Sequence, residues 1–401
     1  MAAGPPLQGP EVFRAQATDG AARAGLVGTA RGEVVTPCFM PVGTRGALRL
    51  MSAADLDLLR PQVVLANTYH LMLRPGAEVV AALGGLPGFT GWPGHFLTDS
   101  GGFQVMSLPS RVDDDGVDFR SSYDGSWRRL TPESAVAVQQ LLGADIQMVL
   151  DVCTELPAGR EVLEQAGERT LAWAARARDA HPGGGQQLFG IVQGGTEVDL
   201  RAAYARSLSA LGFDGYGIGG LAVGEPPAAF VSALAATLPE LPADRPRYLM
   251  GVGDPWSVVV AIGLGVDMFD CVLPTRLGRH GTALTSEGKL AVKAARYALD
   301  DSPVDRSCPC PVCARHSRAY LRHLYNVGEP TAGRLVSLHN VAWLLRLCDE
   351  ARQAVVGHRF AAFAEQVAAV WAPAGAPAWP AEPEGPARGP VRCAEGPAGN
   401  D

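Results

Sequence analysis

Two aspartates in this chain close short apolar runs, Asp99 after Phe96-Leu-Thr and Asp270 after Met268-Phe. Paired carboxylates of this kind can divide the work at an anomeric carbon, one attacking C1′ while the other handles the proton. Asp151 and Gln193 end two further runs, and together they suit a flat heterocycle. A carboxylate accepts from the N1–H and N2–H2 of a guanine, and an amide donates to its O6. The backbone N–H of Gly220 offers a second donor to O6, and the ring of Phe103, four residues past Asp99, can stack on a base. Asp and Gly also end strands simply as turn formers, which accounts for any one of these positions but poorly for Asp99, Asp151, Gln193, Gly219-Gly220 and Asp270 together.

Cys308, Cys310, Cys313 and His339 supply different chemistry. Three thiolates and one imidazole complete a tetrahedral zinc set, and a closed site of four protein ligands holds structure without a position for substrate. His316 and His323 compete with His339 for the fourth place. Cys38, Cys153, Cys271, Cys348 and Cys393 read as small buried hydrophobes.

Reduced metal-binding thiols in a chain of 401 residues point to the cytoplasm. The start, Met-Ala-Ala-Gly-Pro-Pro, has neither a basic stretch nor an apolar core, and no run is long enough to span a bilayer. The net charge of −7 argues against wholesale coating of nucleic acid. Locally the balance reverses: from Arg276 to Arg322 there are nine Arg or Lys against four acids. From charge alone a solvated face explains such a patch more readily than a polyanion does. Residues 1–10 and 373–401 are Pro, Gly and Ala with scattered charge, and are expected to be disordered.

Something must hold these side chains in one place. Apolar or β-branched runs alternate with segments of helical spacing, the pattern of parallel β-α units. Eight are read: Cys38 to Gly43, Val63 to Asn67, Phe96 to Ser100, Ile146 to Asp151, Leu188 to Gln193, Gly215 to Gly220, Tyr248 to Val252 and Met268 to Leu273. Eight units predict a (β/α)8 TIM barrel over residues 11–372, with a zinc-binding subdomain at about 281–345. Thr131-Pro132-Glu133 marks one helix start, a capping hydroxyl before a first-turn proline. Barrel enzymes place reactive groups where strands end, and all the candidates above sit there. After the seventh run comes the loop Gly251, Val252, Gly253, Asp254, Pro255, Trp256, Ser257, placed for phosphate; after the eighth, Thr275, Arg276, Leu277, Gly278, Arg279 put two guanidinium groups near Asp270.

With these residues assembled, the sequence resembles the tRNA-guanine transglycosylases, the queuine tRNA-ribosyltransferase family, and is similar to its bacterial members. The segments that carry the resemblance are Asn67-Thr-Tyr-His-Leu-Met-Leu-Arg-Pro-Gly76, Thr98-Asp-Ser-Gly-Gly-Phe-Gln104, Phe189-Gly-Ile-Val-Gln193, Gly219-Gly-Leu-Ala-Val-Gly-Glu225, Met268-Phe-Asp-Cys-Val-Leu-Pro-Thr-Arg276 and the zinc set. The resemblance implies exchange of guanine at wobble position 34 of tRNAs with GUN anticodons for preQ1 (7-aminomethyl-7-deazaguanine), by double displacement through a covalent enzyme–tRNA intermediate. It implies Asp270 as nucleophile and Asp99 as general acid/base. Ser100, Gly101, Gly102, Phe103, Asp151, Gln193, Gly220, Leu221 and Met250 then fall at base-binding positions, residues 251–257 and 275–279 in RNA-contacting loops, and Cys308, Cys310, Cys313 and His339 at a structural Zn2+ site. A homodimer is also implied, with Tyr320 and His323 able to pack across its two-fold axis or, equally, into the helix core.

One position departs from the bacterial pattern. Asp151-Val152-Cys153 stands where relatives usually read Asp-Glu-Cys; Cys153 and Val223 match the pocket for preQ1, while Val152 leaves queuine open as the incoming base. The tail is expected to lack the added RNA-binding domains of archaeal relatives. Three other readings compete: a barrel nucleosidase or glycosidase on free nucleosides, which has no use for the basic segment; a non-catalytic tRNA-binding subunit, which has no use for both Asp99 and Asp270; and a zinc hydrolase, which needs an open coordination position.

Overall fold

The computed structural model describes residues 12–378. The disorder expected at the two ends concerns residues outside this range, apart from 373–378, which form a short turn after the helix Phe360–Trp371.

The chain opens with an antiparallel sheet of β1 (Phe13–Asp19), β2 (Ala22–Thr29) and β3 (Gly32–Thr36). Eight parallel strands then close into a barrel: β4 (Cys38–Gly43), β5 (Val63–Asn67), β6 (His95–Asp99), β10 (Ile146–Met148), β11 (Gln187–Val192), β12 (Gly215–Ile218), β13 (Arg247–Leu249) and β14 (Met268–Cys271). Neighbours follow chain order, and β14 pairs with β4 to close the ring. All eight expected runs are barrel strands. Several are shorter than their apolar runs because the last residues turn outward into the loops that carry polar side chains. Strands buried on both faces read as continuous apolar stretches, which is why they were legible. Inside the barrel the space is tight: a Cβ on Gly217 would lie 2.8 Å from Cε of Met148 and 3.2 Å from Sδ of Met250.

Two ion pairs fix the opening sheet to the ring. Arg23 holds Asp267, the residue before β14, and Arg31 holds Asp145, the residue before β10. Both aspartates precede the strands, so the sheet closes the N-terminal end of the barrel and leaves the C-terminal end free for chemistry.

Two insertions flank that free end. Between β6 and β10 lies a second antiparallel sheet of β7 (Ser110–Val112), β8 (Val117–Arg120) and β9 (Trp127–Leu130), then the helix Pro132–Leu142 begun by Thr131, whose hydroxyl accepts from the Ser134 N–H at 3.2 Å. After β14 come the helix Leu273–His280, the hairpin β15 (Thr282–Thr285) and β16 (Gly288–Ala291), and the helix Arg318–Asn326. The 27-residue helix Pro330–Val356 follows. It packs on both β4 and β15, so the subdomain expected at about 281–345 shares its last helix with the barrel. Its core is shared too, since Cys308, Cys310 and Val336 belong to one buried cluster with Leu48, Val64 and Phe96. No helix among the described residues is long and apolar enough to cross a membrane.

Candidate active site and metal centre

Around the C-terminal rim the strands run β14, β4, β5, β6, β10, β11, β12, β13, and all but β4 contribute to the site. Asp270 on β14 accepts two hydrogen bonds on Oδ1, from the Tyr248 hydroxyl at 2.6 Å and from the Gly251 N–H at 2.7 Å. No protein donor among the described residues engages Oδ2, which leaves that oxygen for an electrophile. Burial raises the carboxyl's pKa, and the Gly251 and Tyr248 donors oppose that rise. Tyr248 stays a donor, because burial and the neighbouring Asp270 charge push its phenol well up.

Asp99 ends β6. Its Oδ1 accepts from the Thr68 N–H at 2.9 Å and its Oδ2 from the Asn67 side chain at 2.5 Å. Thr68 also donates its hydroxyl to the Asp99 carbonyl. Burial pushes this carboxyl up to about 7, with the Asp270 charge adding to the rise and the Thr68, Gly101 and Asn67 donors opposing it. A carboxyl poised there can both give and take a proton near neutrality.

The next three strands make a recognition edge. Asp151, just past β10, accepts at 2.6 Å from the Gln193 amide just past β11. Both are buried, and burial pushes Asp151 up to about 6 against the Gln193 hydrogen bond. Past β12, Gly219 and Gly220 give the amide room: a Cβ on Gly219 would lie 2.6 Å from Gln193 Nε2, and one on Gly220, at φ +67°, 2.5 Å from Oε1. Gly102 lies against Asp151, where an added Cβ would meet its backbone oxygen at 3.0 Å. Phe103, next in the helix Gly102–Met106, is 59% exposed and shows its ring at the rim. Ser100 and Leu221 are buried beside these residues, and Gly101 takes φ +82° at the helix start. Met250 is half-buried against the barrel core.

The loops expected to meet RNA divide. In the first, Val252, Pro255 and Trp256 are buried, and Asp254 caps the helix Pro255–Gly263 by accepting from the Ser257 N–H at 3.0 Å. Trp256 packs near Phe230 instead of facing solvent. Their side chains are closed to a polynucleotide, and Gly253 is buried against Cys271, which leaves Gly251, Asp254 and Ser257 of that loop. In the second, Thr275 and Gly278 are buried against the long helix, while Arg276 is exposed and Arg279 half-exposed.

Residues with no assigned role in the sequence analysis complete the site. Tyr248, Asn67 and Thr68 hold the two carboxylates. For Asn67 and Thr68 the signal was the strand-end rule itself, applied to the run that closes at Asn67; Tyr248 lies inside its run. Arg201 is fully buried in the helix Val198–Leu211 and donates to the carbonyls of Gly195 at 2.7 Å, Val192 at 3.2 Å and Gly219 at 2.8 Å. It thereby ties the end of β11 to that of β12, and burial lowers its guanidinium to about 10. An arginine in a helix reads as a solvent-facing residue, so nothing in the sequence marked it.

Away from this rim, the ligand atoms of Cys308, Cys310, Cys313 and His339 lie within 4.8 Å of one another. The two nearest sulfurs, Cys310 and Cys313, are 3.4 and 3.3 Å from His339 Nδ1. His339 Nε2 lies 2.7 Å from the Leu284 carbonyl, which fixes the proton on Nε2 and turns the Nδ1 lone pair toward the sulfurs. Neighbouring thiols, Cys308 first, hold the Cys310 thiol well below its usual range. Three convergent sulfurs and an oriented imidazole fit a closed metal centre. His316 and His323 are not among the donors.

Comparison with known proteins agrees with this geometry. A family model described as Queuine tRNA-ribosyltransferase matches residues 18–373. Among curated relatives, the Queuine tRNA-ribosyltransferase of Solidesulfovibrio magneticus is 49% identical over 369 residues, 91% of this chain and 99% of that protein. That of Thermus thermophilus is 51% identical over 360 residues, covering 89% and 93%. That of Sorangium cellulosum is 53% identical over 355 residues, covering 88% and 90%. With a match that spans nearly the whole barrel and its metal centre, the chain belongs to the queuine tRNA-ribosyltransferase family.

Proposed function

We propose that this protein is a tRNA-guanine transglycosylase that exchanges guanine at wobble position 34 of GUN-anticodon tRNAs for preQ1, in queuosine biosynthesis. The observation that carries the reading is the order of groups around one rim: a carboxylate with one open oxygen, a carboxyl held on both oxygens, then a carboxylate–amide edge whose donors and acceptors suit a purine. In the first displacement, Asp270 Oδ2 bonds to ribose C1′ as the C1′–N9 bond breaks, and Asp99 gives its proton to the departing base. In the second, Asp99 takes the N9 proton of the incoming base, whose N9 bonds to C1′ and releases the Asp270 carboxylate. The ribose keeps its β configuration, and the strand is not cut.

Supporting preQ1 as the incoming base, Cys153 is half-buried beside Asp151, and burial pushes its thiol up to about 12, so it stays neutral. Val152, in place of the usual acid, packs with Leu150 and Trp173 in a side cluster. Its N–H donates to Thr170 at 3.0 Å. This supports a change in packing there more than a change in the base selected.

Three sulfurs and an imidazole suit Zn2+ as the resident ion, in a structural role. Tyr320 is 44% exposed and stacks with His316 at 5.3 Å, and His323 is exposed as well, which favours a subunit contact over packing into the helix core.

The test is base exchange into full-length tRNA with preQ1 and queuine in parallel, together with adduct trapping on denaturing gels. Asp270→Ala is expected to abolish both adduct and exchange. Asp99→Ala is expected to stop turnover while much of the tRNA affinity survives. An adduct formed by Asp270→Ala but not by Asp99→Ala would reverse the two roles, and preferential queuine incorporation would overturn the choice of base.

A further inference from the structure

The rim between the two catalytic carboxylates carries cations that nothing in the protein neutralises. Moving from β14 through β4 to β5, the loops present Arg276 and Arg279, then Arg45 and Arg49, then Arg74. Among the described residues none of the five has a carboxylate oxygen within 4.0 Å. Arginines elsewhere on the surface are paired, among them Arg129 with Asp113 and Asp118, Arg160 with Asp199 and Arg176 with Glu133. The rim cations also crowd one another, since Arg49 and Arg276 add to the burial that lowers the Arg279 guanidinium. Like charges left together at a cost to the fold mark a surface kept for a polyanion.

The β4–β5 part of this arc is built. The Arg45 and Arg74 guanidinium carbons lie 5.7 and 5.1 Å from the Tyr123 ring centroid. The Tyr123 hydroxyl meets His70 Nδ1 at 3.0 Å. The His70 backbone N–H in turn donates at 3.1 Å to the Asn67 side chain that holds Asp99. Tyr123 sits in the turn between β8 and β9, and that turn is pinned by the Tyr69 hydroxyl, 2.7 Å from Ser122 Oγ. The inserted sheet thus places an aromatic ring under two unpaired guanidinium groups, one short chain of contacts away from the acid/base.

We propose that Arg45 and Arg74, set against Tyr123, form a second phosphate-backbone contact for RNA, joined through Arg49 to Arg276 and Arg279. The inference rests on tRNA being the substrate, and it adds a track over β4 and β5 to the loops already considered.

The experiment measures tRNA affinity by fluorescence anisotropy over a salt series, using the full chain. Each phosphate contact to a single-stranded segment contributes about 0.7 to the slope of log K against log salt. Arg45→Gln/Arg74→Gln is expected to weaken binding about tenfold at moderate salt and to flatten the slope by about 1.4, with affinity for the free base unmoved. Arg45→Lys/Arg74→Lys is expected to keep the wild-type slope, because the charge remains. Should the double glutamine variant not fold, Arg45→Gln alone is expected to lose about 0.7 of slope. A wild-type slope in the glutamine variants overturns the proposal, and so does a change confined to the sedimentation of the protein, which would make this face a contact between copies. If Arg276→Gln loses slope while the Arg45/Arg74 variants do not, only this inference fails; if the wild-type chain binds no tRNA, the functional reading fails with it.

Discussion

Asp99 and Asp270 are chemically identical, and their neighbours separate them. Asp270 spends one oxygen on Tyr248 and Gly251 and keeps the other open, the arrangement of a nucleophile. Asp99 is gripped on both oxygens and pushed up to about 7 by burial, the arrangement of a proton carrier. On the proposed mechanism, adduct formation with release of guanine needs protonated Asp99, so its single-turnover rate is expected to fall as pH rises through about 7. A rate that stays flat from pH 6 to 8 would remove Asp99 from that step. The same shift bears on stability. A carboxyl whose folded pKa lies above its ordinary 3.8 binds more protons folded than unfolded, so its penalty is absent below about 4 and complete above about 7. Asp99→Asn should therefore gain stability relative to wild type as pH rises across that window, by up to roughly 4 kcal/mol at 1.4 kcal/mol per pH unit. Thermal melts at pH 4.5 and 8 check the sign. Both aspartates were legible in the sequence as polar ends of apolar runs. Tyr248 was not, because inside such a run a phenol reads as one more core aromatic.

The recognition edge depends on elements more than on single side chains. Gln193 and Gly219-Gly220 come from adjacent strands, and Arg201 on a third element joins their ends through carbonyls alone. Gly220→Ala adds a Cβ 2.5 Å from Gln193 Oε1 at a positive φ, costing about 1 kcal/mol in backbone strain before any displacement. The KM for the free base is expected to rise at least tenfold, with tRNA affinity kept; equal loss of both would show a general collapse of the rim instead. Arg201→Met should raise the base KM as well, and Arg201→Lys, which cannot span three carbonyls, should rescue little of it. The barrel strands announced themselves because their two-sided burial demands unbroken apolar runs. The opening sheet did not: Phe13–Asp19 and Ala22–Thr29 are rich in Ala, Gly and Thr, with no alternation strong enough to register. Nor did the sheet of β7, β8 and β9, whose outward side is arginine and aspartate and whose buried side is only Val117, Phe119 and Leu130.

At the scale of the whole molecule, the candidate metal centre and the candidate active-site rim are far apart in kind but share one rigid part. His339 lies on the helix Pro330–Val356, beside Ser337 and Asn340. Ser337 donates to the Thr275 carbonyl at 3.1 Å, and Asn340 donates to the carbonyls of Pro274 and Thr282 at 3.0 Å each. A Cβ on Gly278 would lie 2.4 Å from Ser337 Oγ, so the helix Leu273–His280 seats directly on the long one. That seated helix carries Arg276 and Arg279 and begins two residues after Cys271, the end of β14. Any loosening around His339 therefore reaches Arg276 and Arg279 before it reaches Gln193 and Asp151, which hang from the opposite arc of the barrel. Cys310→Ala, or removal of the ion by a chelator, is expected to lower metal content and thermal stability together, since binding at such a site is coupled to folding. At temperatures where the barrel still holds, it should weaken tRNA binding severalfold while the affinity for the free base changes little. Metal-depleted protein that melts at the wild-type temperature would refute the structural role. Depleted protein that loses base and tRNA affinity in equal measure would refute the mechanical link through the long helix.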